Sequence, residues 1–263
     1  MENWIAITAG FSPQEIQKAA RRVKRDASSL FSFSNHLVIT PENLSNFAPT
    51  THDKYKEYLN ENSFGYGYFV WKAEIVMNVL LGEHGKCDGI VWIDAGCEVF
   101  VSPWTKLKFK NSLSKARESG YMFFELNTPE AQYSKNKVLR YFGSKFIYDL
   151  SPQIQATHFF LHGEQGRAIA RKWFAASMQG IDFLDHTPSE FSEIEGFVLH
   201  KSDQSLLSLT VKSLNLMERT KVPPAGNRGF ISRWSASRAP IWVSRNRTGT
   251  SIQSKIQRLF VNF

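Results

Sequence analysis

Four stretches carry side chains whose types and spacing could do chemistry. The apolar run Gly89 to Ile93 breaks abruptly into Asp94-Ala95-Gly96. Ligands of open α/β sheets gather at the carboxyl ends of strands, so Asp94 is either a ligand-facing carboxylate or the cap of a turn. In His200-Lys201-Ser202-Asp203-Gln204-Ser205, Asp203 and Gln204 fall in the first turn of a helix. An acid there is favoured by the helix dipole whatever the function, so a structural reading stands beside a functional one. Lys72 closes the stretch Phe64 to Lys72 and is either a solvated helix residue or a phosphate contact. Arg245 and Arg247 follow a late strand, and guanidinium groups in such a pair suit the oxygens of a phosphate. Tyr66 and Tyr68, between Gly65 and Gly67, form either a flat platform for a sugar or base, or ordinary core packing.

The elements that must position these groups follow from periodicity. Trp4 to Ala9 reads as a first strand, and Ser12-Pro13-Gln14-Glu15 as a capping box that starts a helix to about Lys24. Ile16, Ala19, Ala20 and Val23 face inward, while Arg21, Arg22, Lys24 and Arg25 lie largely outside. His36 to Thr40 gives a second strand and completes a βαβ opening. A polar helix spans Asp53 to Asn60, and a helix carrying Ile75, Val76, Val79 and Leu80 is stopped by Gly82 and Gly85. Further on come a helix at about Leu113 to Ser119, a buried strand Tyr121 to Leu126 and a helix Tyr133 to Phe142. Ile154 to His162 reads as one strand containing Gln155, and Gln165 to Ser177 as a helix. The acidic, irregular segment Gln179 to Gly196 suits a lid or acceptor loop. Ile241 to Ser244 is a strand, and Ser251 to Phe260 a basic amphipathic helix.

Composition bounds the class. At 263 residues with 42% apolar content the chain can bury a sizeable core, and it has no apolar run long enough to span a membrane and no basic-led leader. A soluble cytoplasmic protein is expected, with Cys87 and Cys97 as buried free thiols. The net charge of +8 is concentrated in the tail, since residues 219–263 hold nine Lys or Arg and no acid. Such a tail suits phosphates, an anionic membrane face or nucleic acid. The first turn lacks both G-x-G-x-x-G and the Lys-Ser/Thr of a phosphate loop, which argues against dinucleotide chemistry and ATP hydrolysis.

Four signals occur in order: the opening strand and helix, GYGYFVWK ending at Lys72, IVWIDAGCEV around Asp94 and HKSDQSLLSL around Asp203. Together they resemble glycosyltransferases of the GT-A fold, and among them bacterial sugar transferases of surface polysaccharide pathways (capsule and lipopolysaccharide), over about residues 4 to 250. The resemblance implies an α/β fold with a mixed, mostly parallel central sheet flanked by helices. It places a GT-A-like domain at residues 1–230, with nucleotide-binding and acceptor halves meeting near residue 100, and a basic C-terminal extension at 231–263 closing over the donor site.

It also implies a nucleoside diphosphate sugar donor, a UDP-sugar favoured, bound over the first strand ends at Thr8, Ala9, Gly10, Lys72, Asp94, Ala95 and Gly96, with a glycan or lipid-linked acceptor. In the family pattern the strand end reads Asp-x-Asp and holds Mn²⁺ or Mg²⁺, whereas here the second position is Gly96. Glu98 lies on the same side as Asp94 if the chain stays extended, giving Asp94 and Glu98 as metal ligands. The alternative is neutralisation of the diphosphate by Arg245 and Arg247. Asp203 and Gln204 are similar to the Asp-Gln motif that retaining members place beside the anomeric carbon, and retention is favoured slightly over inversion. Tyr66, Tyr68 and Gln155 are the acceptor or stacking candidates. Two other readings stay open: a non-catalytic nucleotide-sugar or carbohydrate binder of the same fold, and a nucleic-acid binder using the tail, for which no recognised motif is present. Peripheral contact with the inner face of the membrane through the tail fits a lipid-linked acceptor.

Overall fold

A computed structural model describes residues 2–11, 13–216 and 240–243. Arg245, Arg247, Ser12 of the expected capping box and the closing helix at 251–260 lie outside the described residues.

The strands are β1 (Trp4–Ala9), β2 (Asn35–Ile39), β3 (Gly89–Ile93), β4 (Cys97–Val99), β5 (Tyr121–Met122), β6 (Glu125–Pro129), β7 (Pro152–Ile154), β8 (His158–His162) and β9 (Ile241–Val243). Five of them form a central sheet in the order β2-β1-β3-β8-β5. β1 pairs parallel with β2 and β3, while β8 runs antiparallel to both its neighbours, so four of the five strands share one direction. This is the mixed, mostly parallel α/β arrangement read from the sequence. Two small two-stranded sheets, β4-β9 and β6-β7, lie outside it.

β3 is apolar on both faces because both are covered. On one side Trp92 joins Phe159, Trp173 and the helices Trp71–Leu81, Gly163–Ser177 and Ser202–Ser213. On the other, Val91 and Ile93 pack with Trp4, Phe160 and the helices Gln14–Leu30 and Pro103–Ser119. Reversal of β8 has a direct consequence: its amino end lies beside the carboxyl end of β3, where the Asp94 amide donates to the Thr157 carbonyl at 2.8 Å.

Several elements differ from the sequence reading. The first helix runs on to Leu30. The second long one starts at Pro103, where Ser102 and Thr105 form the capping box. Asp53 to Asn60 is not one helix but the end of Pro49–Lys54 followed by a short 3₁₀ turn, Lys56–Tyr58. Tyr121 to Leu126 splits between β5 and β6, which belong to different sheets, and Ile154 to His162 splits at Gln155–Thr157 into β7 and β8. In each case an apolar run supplied no sign that the backbone changes sheet partner midway.

The acidic segment after Gln179 is irregular apart from the 3₁₀ turn Ile181–Phe183. It is pinned to the helix Asn136–Phe142 and its approach. Lys135 Nζ meets Asp185 at 2.6 Å, Lys137 meets Asp182 at 2.5 Å, and the Asn136 amide donates to Glu193 at 2.8 Å. No helix of the described residues is long and apolar enough to cross a membrane.

Helix Gln14–Leu30 crosses very close to the end of β1. A Cβ added at Gly10 would lie 2.6 Å from the Ile16 carbonyl oxygen and 2.8 Å from the Ala20 Cβ. Both belong to a packed helix that has little room to retreat, so Gly10→Ala is expected to cost about 1–3 kcal/mol, read as a lowered urea midpoint with an unchanged m-value.

Candidate active site

The helix that carries Lys72 is preceded by a backbone turn of unusual hand. Residues 65–69 all have positive φ: Gly65 59°, Tyr66 55°, Gly67 87°, Tyr68 55° and Phe69 61°. Glycine tolerates this; three aromatic residues do not, at roughly 1–2 kcal/mol each. The turn is held by Ser63 Oγ, which accepts from the Gly67 amide at 2.7 Å, and by the Trp71 indole N–H, which donates to the Tyr66 carbonyl at 3.0 Å. Tyr66 stacks on Phe11 with ring centroids 4.7 Å apart, so one of its faces is already covered. Tyr68 meets His186 edge-on at 5.5 Å.

The turn delivers Phe69 and then the helix Trp71–Leu81, whose second residue is Lys72. Its side chain is 2% exposed and reaches Asp94 Oδ1 at 3.2 Å and Asp203 Oδ2 at 2.8 Å. Lys72, read as either solvated or a phosphate contact, is thus committed to two carboxylates. Glu74, one turn edge further on, accepts from the amides of Thr50 and Thr51 at 3.0 and 2.6 Å and anchors this helix to the start of Pro49–Lys54.

Asp94 leaves β3 in a tight turn closed by the Cys97 amide donating to its carbonyl at 2.9 Å. The Trp92 indole N–H donates to Oδ1 at 2.6 Å, fixing the carboxylate beside Lys72. The Asp94 side chain is 28% exposed, whereas Lys72 and Asp203 are buried. It is therefore the member of the three that can meet a ligand.

The turn is also why Glu98 departs from the expected metal pair. Ala95 and Gly96 bend the chain, so the alternation that would put Glu98 beside Asp94 fails. Glu98 is wholly buried and bonded to Arg22 at 2.7 Å, and Arg22 also donates to the carbonyls of Ala95 and Cys97 at 2.9 and 2.7 Å. Arg22, expected on the outer face of its helix, is thus a buried clamp on the Asp94 turn. The signal for it was Glu98 itself, an acid inside an apolar strand that has to be paired.

Asp203 follows Ser202, whose φ of 46° is another left-handed non-glycine position. The entry to its helix is fixed by His200, which accepts the Lys135 amide at Nδ1 and donates from Nε2 to the Phe183 carbonyl. Burial drives the His200 pKa down to about 3, so the ring is a neutral strut. Gln204 donates to Gln153 Oε1 at 2.9 Å and points along β7. Gln155 is buried and paired with His158 Nδ1 at 3.0 Å. Thr8, Ala9 and Gly10 are buried at the end of β1, with the Thr8 hydroxyl 3.1 Å from His36 Nε2, and Ala95 is buried beside the half-buried Gly96. Of the sequence candidates, then, Lys72, Asp94 and Asp203 come together.

Two acids and one lysine leave one negative charge in excess. Burial pushes the Asp203 pKa up to about 6; Lys72 pulls it back and Asp94 adds to the rise. For Lys72 burial pulls down, but Asp203 and Asp94 outweigh it and the ammonium titrates above an ordinary lysine. Because the Asp203 pKa is raised on folding, its charge opposes the folded state above that value, and the opposition vanishes as pH falls through it towards the unfolded value. The stability difference between wild type and Asp203→Asn is therefore expected to shift in favour of wild type on acidification from about pH 7 to about pH 4, measured by urea unfolding of both proteins across that window.

No protein-family model and no curated protein sequence matches the chain. Among solved structures it is similar to mouse xyloside xylosyltransferase 1 in its apo form, at 10% identity over 94% of this chain and 99% of that one, TM-score 0.44. It is similar also to galactosyltransferase LgtC in complex with donor and acceptor sugar analogues, at 12% identity over 94% and 84% of the two chains, TM-score 0.40. A third is the 4-diphosphocytidyl-2C-methyl-D-erythritol synthase of Anaerococcus prevotii, at 11% identity over 100% and 97%, TM-score 0.40.

Proposed function

We propose that the protein is a glycosyltransferase that moves a sugar from a nucleoside diphosphate donor, a UDP-sugar by preference, to a glycan or lipid-linked acceptor of a surface polysaccharide. The observation that carries this reading is the meeting of Lys72, Asp94 and Asp203. They come from three of the four sequence signals on which the GT-A resemblance rests, 22 and 109 residues apart along the chain, and the Lys72 ammonium lies 3.2 Å from Asp94 and 2.8 Å from Asp203 at the carboxyl end of β3.

In the reaction an acceptor hydroxyl bonds to the anomeric carbon, the bond from that carbon to the diphosphate oxygen breaks with its electron pair going to that oxygen, and the hydroxyl proton passes to the departing diphosphate. Asp94 binds the donor and faces the sugar, with the half-buried Gln204 at the edge of the sugar site and Asp203 acting from behind through Lys72. A carboxylate facing an oxocarbenium-like centre lowers the barrier by opposing its developing positive charge. β9 pairs antiparallel with β4, Val243 opposite Cys97, and Arg245 and Arg247 follow it in the sequence. Those arginines are assigned the departing diphosphate, whose charge guanidinium groups match bidentately.

Asp94→Asn keeps size and most hydrogen bonding but removes the charge. It is expected to lower transfer and donor hydrolysis at least about a hundredfold in protein still folded at the assay temperature, measured with a panel of nucleotide sugars alongside the unfolding midpoint. Full turnover in that variant refutes the assignment. Nucleotide binding without turnover in the wild type would favour the non-catalytic binder of the same fold instead.

A further inference from the structure

Lys72 is surrounded by groups that attract a cation. Its ammonium nitrogen lies 2.8 Å from Asp203, 3.2 Å from Asp94 and 3.4 Å from the Ala156 carbonyl oxygen. The rings of Phe69 and Trp92 stand on it as well, each centroid 5.2 Å from the nitrogen. Two carboxylates, a carbonyl and two aromatic faces are what a protein assembles to hold a positive charge, and here the fold supplies the charge from its own chain. The strained turn at 65–69 gains a purpose in this setting, because it is what aims Phe69.

The oxygens left over do not fit a divalent metal. Mg²⁺ and Mn²⁺ call for a near-octahedral shell of oxygen ligands, usually with more than one protein carboxylate or the substrate's phosphates to anchor it. Gly96 offers no side-chain oxygen, Glu98 is bonded to Arg22 beneath the turn, and Asp203 is 6% exposed and ion-paired with Lys72. Among the described residues no group of three His, Cys, Asp or Glu is placed to hold a metal ion.

We propose that Lys72 is the resident cation between the carboxylates of this site, which takes no divalent metal, and that Asp94 meets its ligand directly, as a hydrogen-bond acceptor for a sugar or ribose hydroxyl. Lys72 acts as a positioning residue: it holds both carboxylates in place by ion pairing, and touches no substrate itself. Only the identity of the ligand rests on the proposed function; the charge arrangement stands on the geometry of this chain.

The test is a titration of the full chain with Mn²⁺, followed by the paramagnetic signal of free Mn²⁺ and by Tm, with and without UDP. Wild type is expected to leave the signal and Tm unchanged by Mn²⁺ alone, and any stabilisation by UDP is expected to be the same in EDTA as in Mn²⁺. Lys72→Met leaves the two carboxylates without their cation and is expected to lower Tm and to gain a rise in Tm with added Mn²⁺. One Mn²⁺ bound per wild-type chain and lost in Asp94→Asn overturns the inference. So does stabilisation by UDP only when Mn²⁺ is present, or a Lys72→Met protein as stable as wild type and indifferent to Mn²⁺. Should Lys72→Met fail to fold, the wild-type titration decides alone. Should UDP and nucleotide sugars bind under neither condition, the proposed function falls while the Mn²⁺ titration still decides this point.

Discussion

A single buried ammonium shared by two carboxylates is the constraint on which this structure turns. Taking an ammonium and a carboxylate out of water beside a second, partly exposed carboxylate is costly, and the cost is recovered only where the geometry is close. Lys72 satisfies that with two carboxylates and a carbonyl, and Trp92 adds an N–H to Asp94. The three charged residues arrive from a helix after β2, from the end of β3 and from the helix Ser202–Ser213. Breaking such a pair on one side costs about 3–5 kcal/mol, so the interaction that sets the site also ties distant parts of the chain to the carboxyl end of the central strand.

A second buried pair works from the opposite face of the sheet. Arg22 bonds Glu98 and the carbonyls of Ala95 and Cys97, and so grips the backbone of the turn whose other end carries Asp94. Asp94 is thereby fixed from two layers, through its side chain by Lys72 and Trp92 and through its backbone by Arg22. Close packing of the helix Gln14–Leu30 on Gly10 is what brings Arg22 within reach. Rigidity of this kind suits a carboxylate that must stay aimed while it remains partly open to solvent.

The parts of the fold that were legible in the sequence are those whose signal is local. β1, the helix after it, β3 and the acid at its end follow from apolar periodicity and from Pro, Gly and capping residues within a few positions. Strand partnership is not local, which is why Tyr121 to Leu126 and Ile154 to His162 read as single strands although each divides between two sheets. Arg22 was missed for a related reason: a long basic side chain on the edge of an apolar helix face can turn inward only when a buried acid awaits it, and Glu98 is 76 residues away. Glu98 was misplaced because alternation was carried through Ala95-Gly96, where the backbone turns. Lys72, Asp94 and Asp203 were each picked out singly, but nothing in their spacing says that the lysine joins the two acids. The arginines of the tail lie outside the described residues.

Local strain lies on both sides of the same ammonium. On one side three aromatic residues adopt positive φ within a left-handed turn, and on the other Ser202 does so immediately before Asp203. At roughly 1–2 kcal/mol per non-glycine residue, the turn alone stores an amount comparable with the ~3–5 kcal/mol at stake in a buried ion pair. The two cannot be independent, since relaxing the turn to ordinary φ values would swing Phe69 and the start of the Trp71–Leu81 helix, and with them Lys72, away from the carboxylates. Stacking of Tyr66 on Phe11 and the Trp71 indole bond to the Tyr66 carbonyl share the load. Strain of this size persists only where the surroundings over-determine it, and the groups that do so here converge on the acid that faces solvent.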